Sequence, residues 1–271
     1  MAPDLPAPGP GVLAAFGVGG RVRRLPGGRG TAWRAGDVVM KPTGSVAESG
    51  WRADVLSALP DLALVRFARP VPARSGGWTV DGWEAWHAVR GEPDPTRVED
   101  VLVAGEAFHA AVAGVARPDF LVAREDPWTY GESVAWGELP VDGDLAWRVL
   151  LERLEQGRRP LALPVQPVHG DLLGNVLFAD GLPPAVIDWA VYERPALWAS
   201  AVVVVDAITW HGAPAALVAR YADRPGWTQV LVRALLYRIA TNVGLQRIGA
   251  ATPEAPEAYE RVVELVATRS E

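Results

Sequence analysis

The chain contains no cysteine, which excludes a disulfide framework and a zinc–thiolate site and suits an intracellular protein. Long apolar runs are missing too: the most hydrophobic short stretch, 201–205, stops at Asp206, far short of the ~20 residues a membrane-crossing helix needs. The opening MAPDLPAPGPG has neither the basic nor the apolar segment of a signal peptide. An excess of positive charge is also absent. A formal net charge of −6 does not suit a general nucleic-acid binder. What is present is an ordinary soluble composition, 49% hydrophobic and 21% charged over 271 residues, enough for a sizeable core in one or two domains. The expectation is a cytoplasmic protein without membrane or nucleic-acid partners, its oligomeric state not readable from composition.

The first third reads as β-rich. Residues 1–11 form a Pro/Gly-rich lead and 12–16 a short helix. The runs VRRL, AWRA and VVMK then predict three strands of an antiparallel meander. The loop Gly27, Gly28, Arg29, Gly30, Thr31 is either a plain turn or a backbone cover for phosphates, since glycines there allow positive φ and close approach. Lys41, ending the third strand, is either an exposed strand-end residue or a point charge for a phosphate. A helix is predicted over 45–59, with Ser45 as N-cap and Glu48 completing a capping box. Glu48 has a second possible role as partner of Lys41, with Asp54 as an alternative, and it lies four residues from Arg52 on the same face. Strands follow at 64–71 and 78–80. The segment 82–91, GWEAWHAVRG, reads as a linker from sheet to helix, with Trp83 and Trp86 as core residues.

The remainder is helical, with helices predicted over 98–115, 144–156, 201–210, 214–221, 227–248 and 257–268. His109 reads as a satisfied core or surface histidine. The stretch 116–137 looks irregular, either a packed loop or an aromatic and acidic surface for a polyhydroxylated or cationic molecule. Asp206, in apolar company, requires a partner, and its expected role is to fix the motif loop described next.

That motif is PVHGDLLGNVLFADGLPPAVIDW, residues 167–189. Two β-prone runs, 176–178 and 185–187, flank a connection bearing Asp180-Gly181 and prolines, which predicts a hairpin. Pairing Val176 with Ile187 and Phe178 with Ala185 places Asn175 opposite Asp188, where Cβ atoms lie roughly 4.5–5.5 Å apart. Two oxygen-bearing side chains there can share one hard cation, with Asp171 just upstream. Mg²⁺ suits such a sparse set because it completes its shell with water and substrate phosphate.

The order of a β-rich first third, a strand lysine, a helix with an acidic residue, a linker and a helical remainder carrying HGD…N…IDW resembles the aminoglycoside phosphotransferase and choline kinase branch of the protein-kinase-like fold. Within that branch the pattern resembles an actinobacterial-type subgroup of unnamed substrate. The resemblance implies an α+β, two-lobed architecture, with a small antiparallel N-lobe over 1–90 and a mainly helical C-lobe over 91–271. It implies an ATP-dependent (or other nucleoside triphosphate-dependent) small-molecule kinase with an aminoglycoside-like or amino-sugar hydroxyl acceptor. Asp171 would be the catalytic base, Asn175 and Asp188 the Mg²⁺ ligands, and Lys41 the phosphate-binding lysine. Gly28, Gly30, Thr31, Glu48 and the backbone of His87 to Val89 would complete the nucleotide site, and His169 would brace the loop. Asp126, Glu132 and Glu193 are candidates for an acidic pocket facing a cationic acceptor. Three departures stand out: only Leu172, Leu173 and Gly174 separate Asp171 from Asn175, where the usual pattern has four residues; the GDP…DLA stretch after IDW is absent; and the acid partnering Lys41 does not align. The alternatives are a nucleotide-binding pseudokinase or regulatory scaffold, and a choline-like metabolite kinase.

Overall fold

The computed structural model describes residues 6–26 and 30–269. The chain divides into two compact units, Met1–Glu92 with Leu177–Asp188, and Pro93–Val176 with Trp189–Glu271. Residues 177–188 return to the first unit, an arrangement that a single boundary near residue 90 does not express.

The first unit opens with a short helix, α1 (Pro10–Ala15), followed by β1 (Val22–Arg24), β2 (Trp33–Ala35), β3 (Val38–Pro42) and α2 (Val46–Ala58). The Ser45 hydroxyl accepts the Glu48 N–H at 3.3 Å, which starts α2 where the capping signal places it. Then come β4 (Arg66–Phe67), β5 (Thr79–Val80), β6 (Trp83–His87) and β7 (Glu92–Pro93). One sheet has the order β1-β2-β3-β6-β5, with its pairs antiparallel. The Asp81-Gly82 connection between β5 and β6 has positive φ at both residues, 47° and 77°, as a tight two-residue hairpin requires. Val12, Phe16, Val38, Met40, Val71, Ala73 and Ala85 form the core beneath this sheet.

The expected linker 82–91 is thus corrected: its first half is β6, a central strand between β3 and β5. Its period of two was obscured because both faces are covered. Ala85 and Trp83 pack on the apolar core, whereas Glu84 is buried in an ion pair with Arg52 of α2.

The runs flanking Asp180-Gly181 form β9 (Val176–Phe178) and β10 (Ala185–Val186), which are hydrogen-bonded neighbours in a second sheet of order β4-β10-β9-β7. The hairpin is not isolated, since β10 also pairs in parallel with β4, Ala185 opposite Arg66 and Val186 opposite Phe67.

The second unit contains α3 (Val98–Val112), α4 (Pro127–Trp136), α5 (Leu145–Gly157), α6 (Ala196–His211), α7 (Trp227–Arg247) and α8 (Glu257–Ala267). A two-stranded antiparallel ribbon joins β8 (Gln166–His169) to β11 (Val191–Arg194), strands that the prolines on either side hid from sequence reading. The stretch 116–137 is not irregular throughout: it holds a 3₁₀ turn (Asp119–Ala123) and α4, started by the Asp126 carboxylate accepting the Thr129 N–H at 2.7 Å with Pro127 in the first turn. Residues 214–221 form only a 3₁₀ turn (Ala215–Ala219). Helices α6 and α7 are buried along most of their length and carry the core with Trp147, Trp198, Tyr237 and Tyr259. Among the described residues no helix is long and apolar enough to cross a membrane.

Candidate active site

In the second unit, the HGD loop leaves β8 and is braced at every residue. His169 is fully buried, and its Nδ1 accepts the Asp171 N–H at 3.1 Å, the bracing role expected of it. The His169 N–H in turn donates to His109 Nε2 at 3.0 Å, so His109 is a satisfied core histidine. Gly170 is required by packing. A Cβ there would lie 2.5 Å from Tyr192 Cδ2, and the Tyr192 ring cannot yield, being packed edge-on against Trp198 and Tyr237. Trp189 closes the loop from the other side, its indole N–H donating to the Val168 carbonyl at 3.0 Å and its ring edge-on to Phe108.

Burial, and secondarily the charge of His169, push His109 down to about 3. The unfolded imidazole binds its proton near 6.5, so between pH 6.5 and about 3 the unfolded state holds the extra proton and stability falls as pH falls. At pH 4 this destabilisation amounts to about 3 kcal/mol. The expected result is a thermal midpoint that drops from pH 7 to pH 4 more steeply in the wild type than in His109→Gln. The glutamine amide can accept the same bond without titrating. Equal slopes in the two proteins would count against the buried neutral imidazole.

The missing residue between Asp171 and Asn175 is absorbed by a tight turn. The Asn175 N–H donates to the Leu172 carbonyl at 2.8 Å, and Gly174 adopts φ 88°, the conformation a type II turn needs at its third position. Asn175 Nδ2 then reaches back to the Asp171 carbonyl at 2.6 Å and to Asp171 Oδ2 at 3.2 Å. With Nδ2 so engaged, Oδ1 is the atom Asn175 can offer to a cation. On its other oxygen, Asp171 Oδ1 accepts from Arg238 Nη2 at 2.7 Å. Arg238 also binds Asp206 through both Nε and Nη2, which supplies the partner that a buried carboxylate demands. Burial pushes Asp206 up to about 6 while Arg238 pulls it back, and the charge of Asp171 adds to the rise.

In the first unit, Lys41 Nζ lies 2.8 Å from Asp188 Oδ2. Asp188 has φ 54°, a left-handed conformation that costs a non-glycine residue about 1–2 kcal/mol and is commonly found at functional sites. Both side chains are partly exposed, so the pair contributes ~1 kcal/mol or less and can be exchanged for ligand contacts. Lys41 is the only lysine in the chain, every other cationic side chain of that kind being arginine, a signal that sequence reading passed over.

The acid that meets Lys41 is Asp188. Glu84 stands directly opposite Lys41 in the β3–β6 register and is bound by Arg52 Nη2 at 3.1 and 3.0 Å and by the Trp86 indole N–H at 3.0 Å. Glu84 went unnoticed because its segment was read as linker. Glu48 lies in the first turn of α2, and Asp54 accepts from the Trp78 indole N–H at 2.7 Å.

Other expected site residues are less telling. Gly28 lies outside the described residues, as do Gly27 and Arg29. Gly30 has φ 66° and its carbonyl accepts from Arg24 Nε, while Thr31 is half-buried beside it. The His87 N–H donates to the Arg69 carbonyl and the Ala88 N–H to the Asp37 carbonyl, so these two amides are engaged within the protein.

The three acids offered for an acidic pocket each meet an arginine. Asp126 caps α4 near Arg124, Glu132 is bound by Arg194, and Glu193 lies 3.0 Å from Arg117 Nη1. Each carboxylate is thus balanced by an arginine.

Asp188 in the first unit and Asn175 in the second each carry a side-chain oxygen of the kind a hard cation takes. Among the described residues no group of three or more His, Cys, Asp or Glu gathers that would hold a metal by itself.

A lysine-bearing antiparallel sheet, a helical unit and a braced Asp…Asn loop together make up the protein-kinase-like fold, α+β in class. No family model matches the chain, and no curated protein does. Solved structures supply the narrower likeness. An aminoglycoside phosphotransferase from Alicyclobacillus acidocaldarius is 17% identical with TM-score 0.61, over 100% of this chain and 95% of that one. A choline/ethanolamine kinase family protein from Mesorhizobium loti is 17% identical with TM-score 0.57, over 94% and 89%. A thermostable mutant of another aminoglycoside phosphotransferase, solved with ADP and hygromycin B, is 16% identical with TM-score 0.58, over 95% and 96%.

Proposed function

We propose that the protein transfers the γ-phosphoryl group of ATP, or of another nucleoside triphosphate, to a hydroxyl of a small molecule. The observation that carries this reading is the Asp171–Asn175 contact inside the tight turn, which keeps a carboxylate and an amide together despite the shortened loop. Asp171 accepts the hydroxyl proton as the acceptor oxygen bonds to the γ-phosphorus and the bond to the departing diphosphate breaks. Lys41 holds phosphate oxygens as a point charge, and the Val89 amide serves the base. Asp188 and Asn175 would be the residues to hold Mg²⁺, which would supply charge neutralisation on the phosphates. The fold likeness to phosphotransferases and choline kinases, some solved with ADP or hygromycin B, supports the same reaction class. The turn at Gly174 keeps Asp171 and Asn175 in contact despite the shortened loop, which supports an enzyme over a nucleotide-binding scaffold.

The arginine-balanced state of Asp126, Glu132 and Glu193 weakens the case for a polycationic acceptor bound at those residues, so aminoglycosides, amino sugars, choline and macrolides all belong in the acceptor screen. Because the chain has one lysine, nucleotide binding can be read at a single side chain. An acyl-phosphate derivative of ATP is expected to acylate Lys41, with protection by MgATP, mapped by mass spectrometry. Labelling that MgATP does not suppress, or that falls only on the N-terminal amine, would remove Lys41 from the nucleotide site.

A further inference from the structure

We infer that Arg238, anchored by the buried Asp206, is the positioning residue for Asp171, an inference that rests on Asp171 being the base. One guanidinium serves two carboxylates. It forks onto Asp206 through Nε, at 2.8 Å, and Nη2, and the same Nη2 reaches Asp171 Oδ1 at 2.7 Å. The Arg238 side chain is 4% exposed and that of Asp206 1%, whereas Asp171 is 44% exposed. The Trp210 and Tyr237 rings lie 5.0 and 4.9 Å from the guanidinium carbon. The guanidinium therefore has one place to be, fixed by α6 and α7, and it presents a single N–H to the exposed carboxylate.

With Asn175 Nδ2 at Oδ2, Asp171 is held at both oxygens by groups from two different elements. Asp206 also balances the arginine charge, so the Arg238–Asp206 pair behind Asp171 carries no net charge. The buried carboxylate thus does for this loop, through Arg238, the fixing expected of it in the absence of the GDP…DLA stretch. Misplacing a reacting group by about 1 Å costs on the order of 10²-fold in rate. The fork is thus a rate-determining part of the geometry without touching substrate.

Breaking one partner alone leaves a buried charge unpaired, so the informative variant replaces both. A well-packed apolar pair in place of a buried ion pair is often neutral for stability. Turnover of MgATP is measured, with water or any acceptor from the panel that is phosphorylated, in the wild type, in Arg238→Met/Asp206→Leu, and in Arg238→Lys. The double variant is expected to fold, by circular dichroism and thermal melting, and to lose roughly 10- to 100-fold in kcat while KM for MgATP stays within about twofold. Arg238→Lys keeps the charge but not the fork and is expected to fall between the two. A folded double variant with wild-type kcat, or a KM that rises in proportion to the loss, overturns the positioning role. If the double variant does not fold, an Arg238→Lys protein with undiminished kcat overturns it equally. A wild type without any Mg-dependent transfer overturns the functional reading and this role with it, whereas an active wild type beside an unaffected variant overturns the role alone.

Discussion

Asp171→Asn is expected to remove phosphoryl transfer while leaving nucleotide binding intact. The substitution preserves shape and the contacts made by Asp171 as an acceptor through one oxygen, but not the capacity to take a proton. General-base contributions are typically about 10²–10⁴-fold, and the loss should fall in that range or beyond it. The loop itself should survive, because it is held by the Asp171 N–H on His169 Nδ1 and by Asn175 Nδ2 on the Asp171 carbonyl, neither of which involves the carboxylate. The asparagine amide would face Arg238 less favourably, so a modest drop in thermal midpoint is also expected. The check is kcat for transfer beside calorimetric titration with MgATP. Undiminished turnover would remove Asp171 from the role of base.

Asp188→Asn is the second variant with a large expected effect. Asparagine tolerates the left-handed backbone that Asp188 adopts at φ 54°, so the change tests charge rather than conformation. Losing the carboxylate removes the stronger of the two proposed metal donors and the partner of Lys41. Stability should change by only ~1 kcal/mol or less, since the pair is partly exposed. Turnover should fall by roughly two to three orders of magnitude, as expected when several kcal/mol of metal-borne charge stabilisation is lost. The sharper readout is binding: wild-type affinity for ATP should rise on adding Mg²⁺, and Asp188→Asn should show little such response. A variant whose affinity still responds fully to Mg²⁺ would displace Asp188 as a ligand.

Much of this was legible in the sequence, where local signals and tertiary roles coincide. Ser45 and Glu48 announced α2, Asp144 announced α5, and the Asp180-Gly181 connection announced the β9–β10 neighbours. The shortening of the loop was legible by counting, and the structure closes it with a turn in which Gly174 has φ 88°. What stayed hidden was pairing across long separations. Arg238 lies 67 residues from Asp171, and no local pattern ties a buried arginine in an apolar helix to a loop so far away. Glu84 was masked for a related reason: a buried ion pair with Arg52 breaks the alternation that marks a strand. The acids at 132 and 193 looked available because their arginine partners, at 194 and 117, are distant in sequence and meet them only in the folded chain. Counting lysines would have singled out Lys41 without any structure.

The most direct measurement is ³¹P NMR of MgATP incubated with the wild-type protein and the acceptor panel, run beside Asp171→Asn. A new phosphomonoester resonance growing in step with ADP in the wild type, and absent from the variant, is the expected result. ADP formed equally fast by both proteins, or ATP bound by the wild type and left intact with every acceptor, would contradict it.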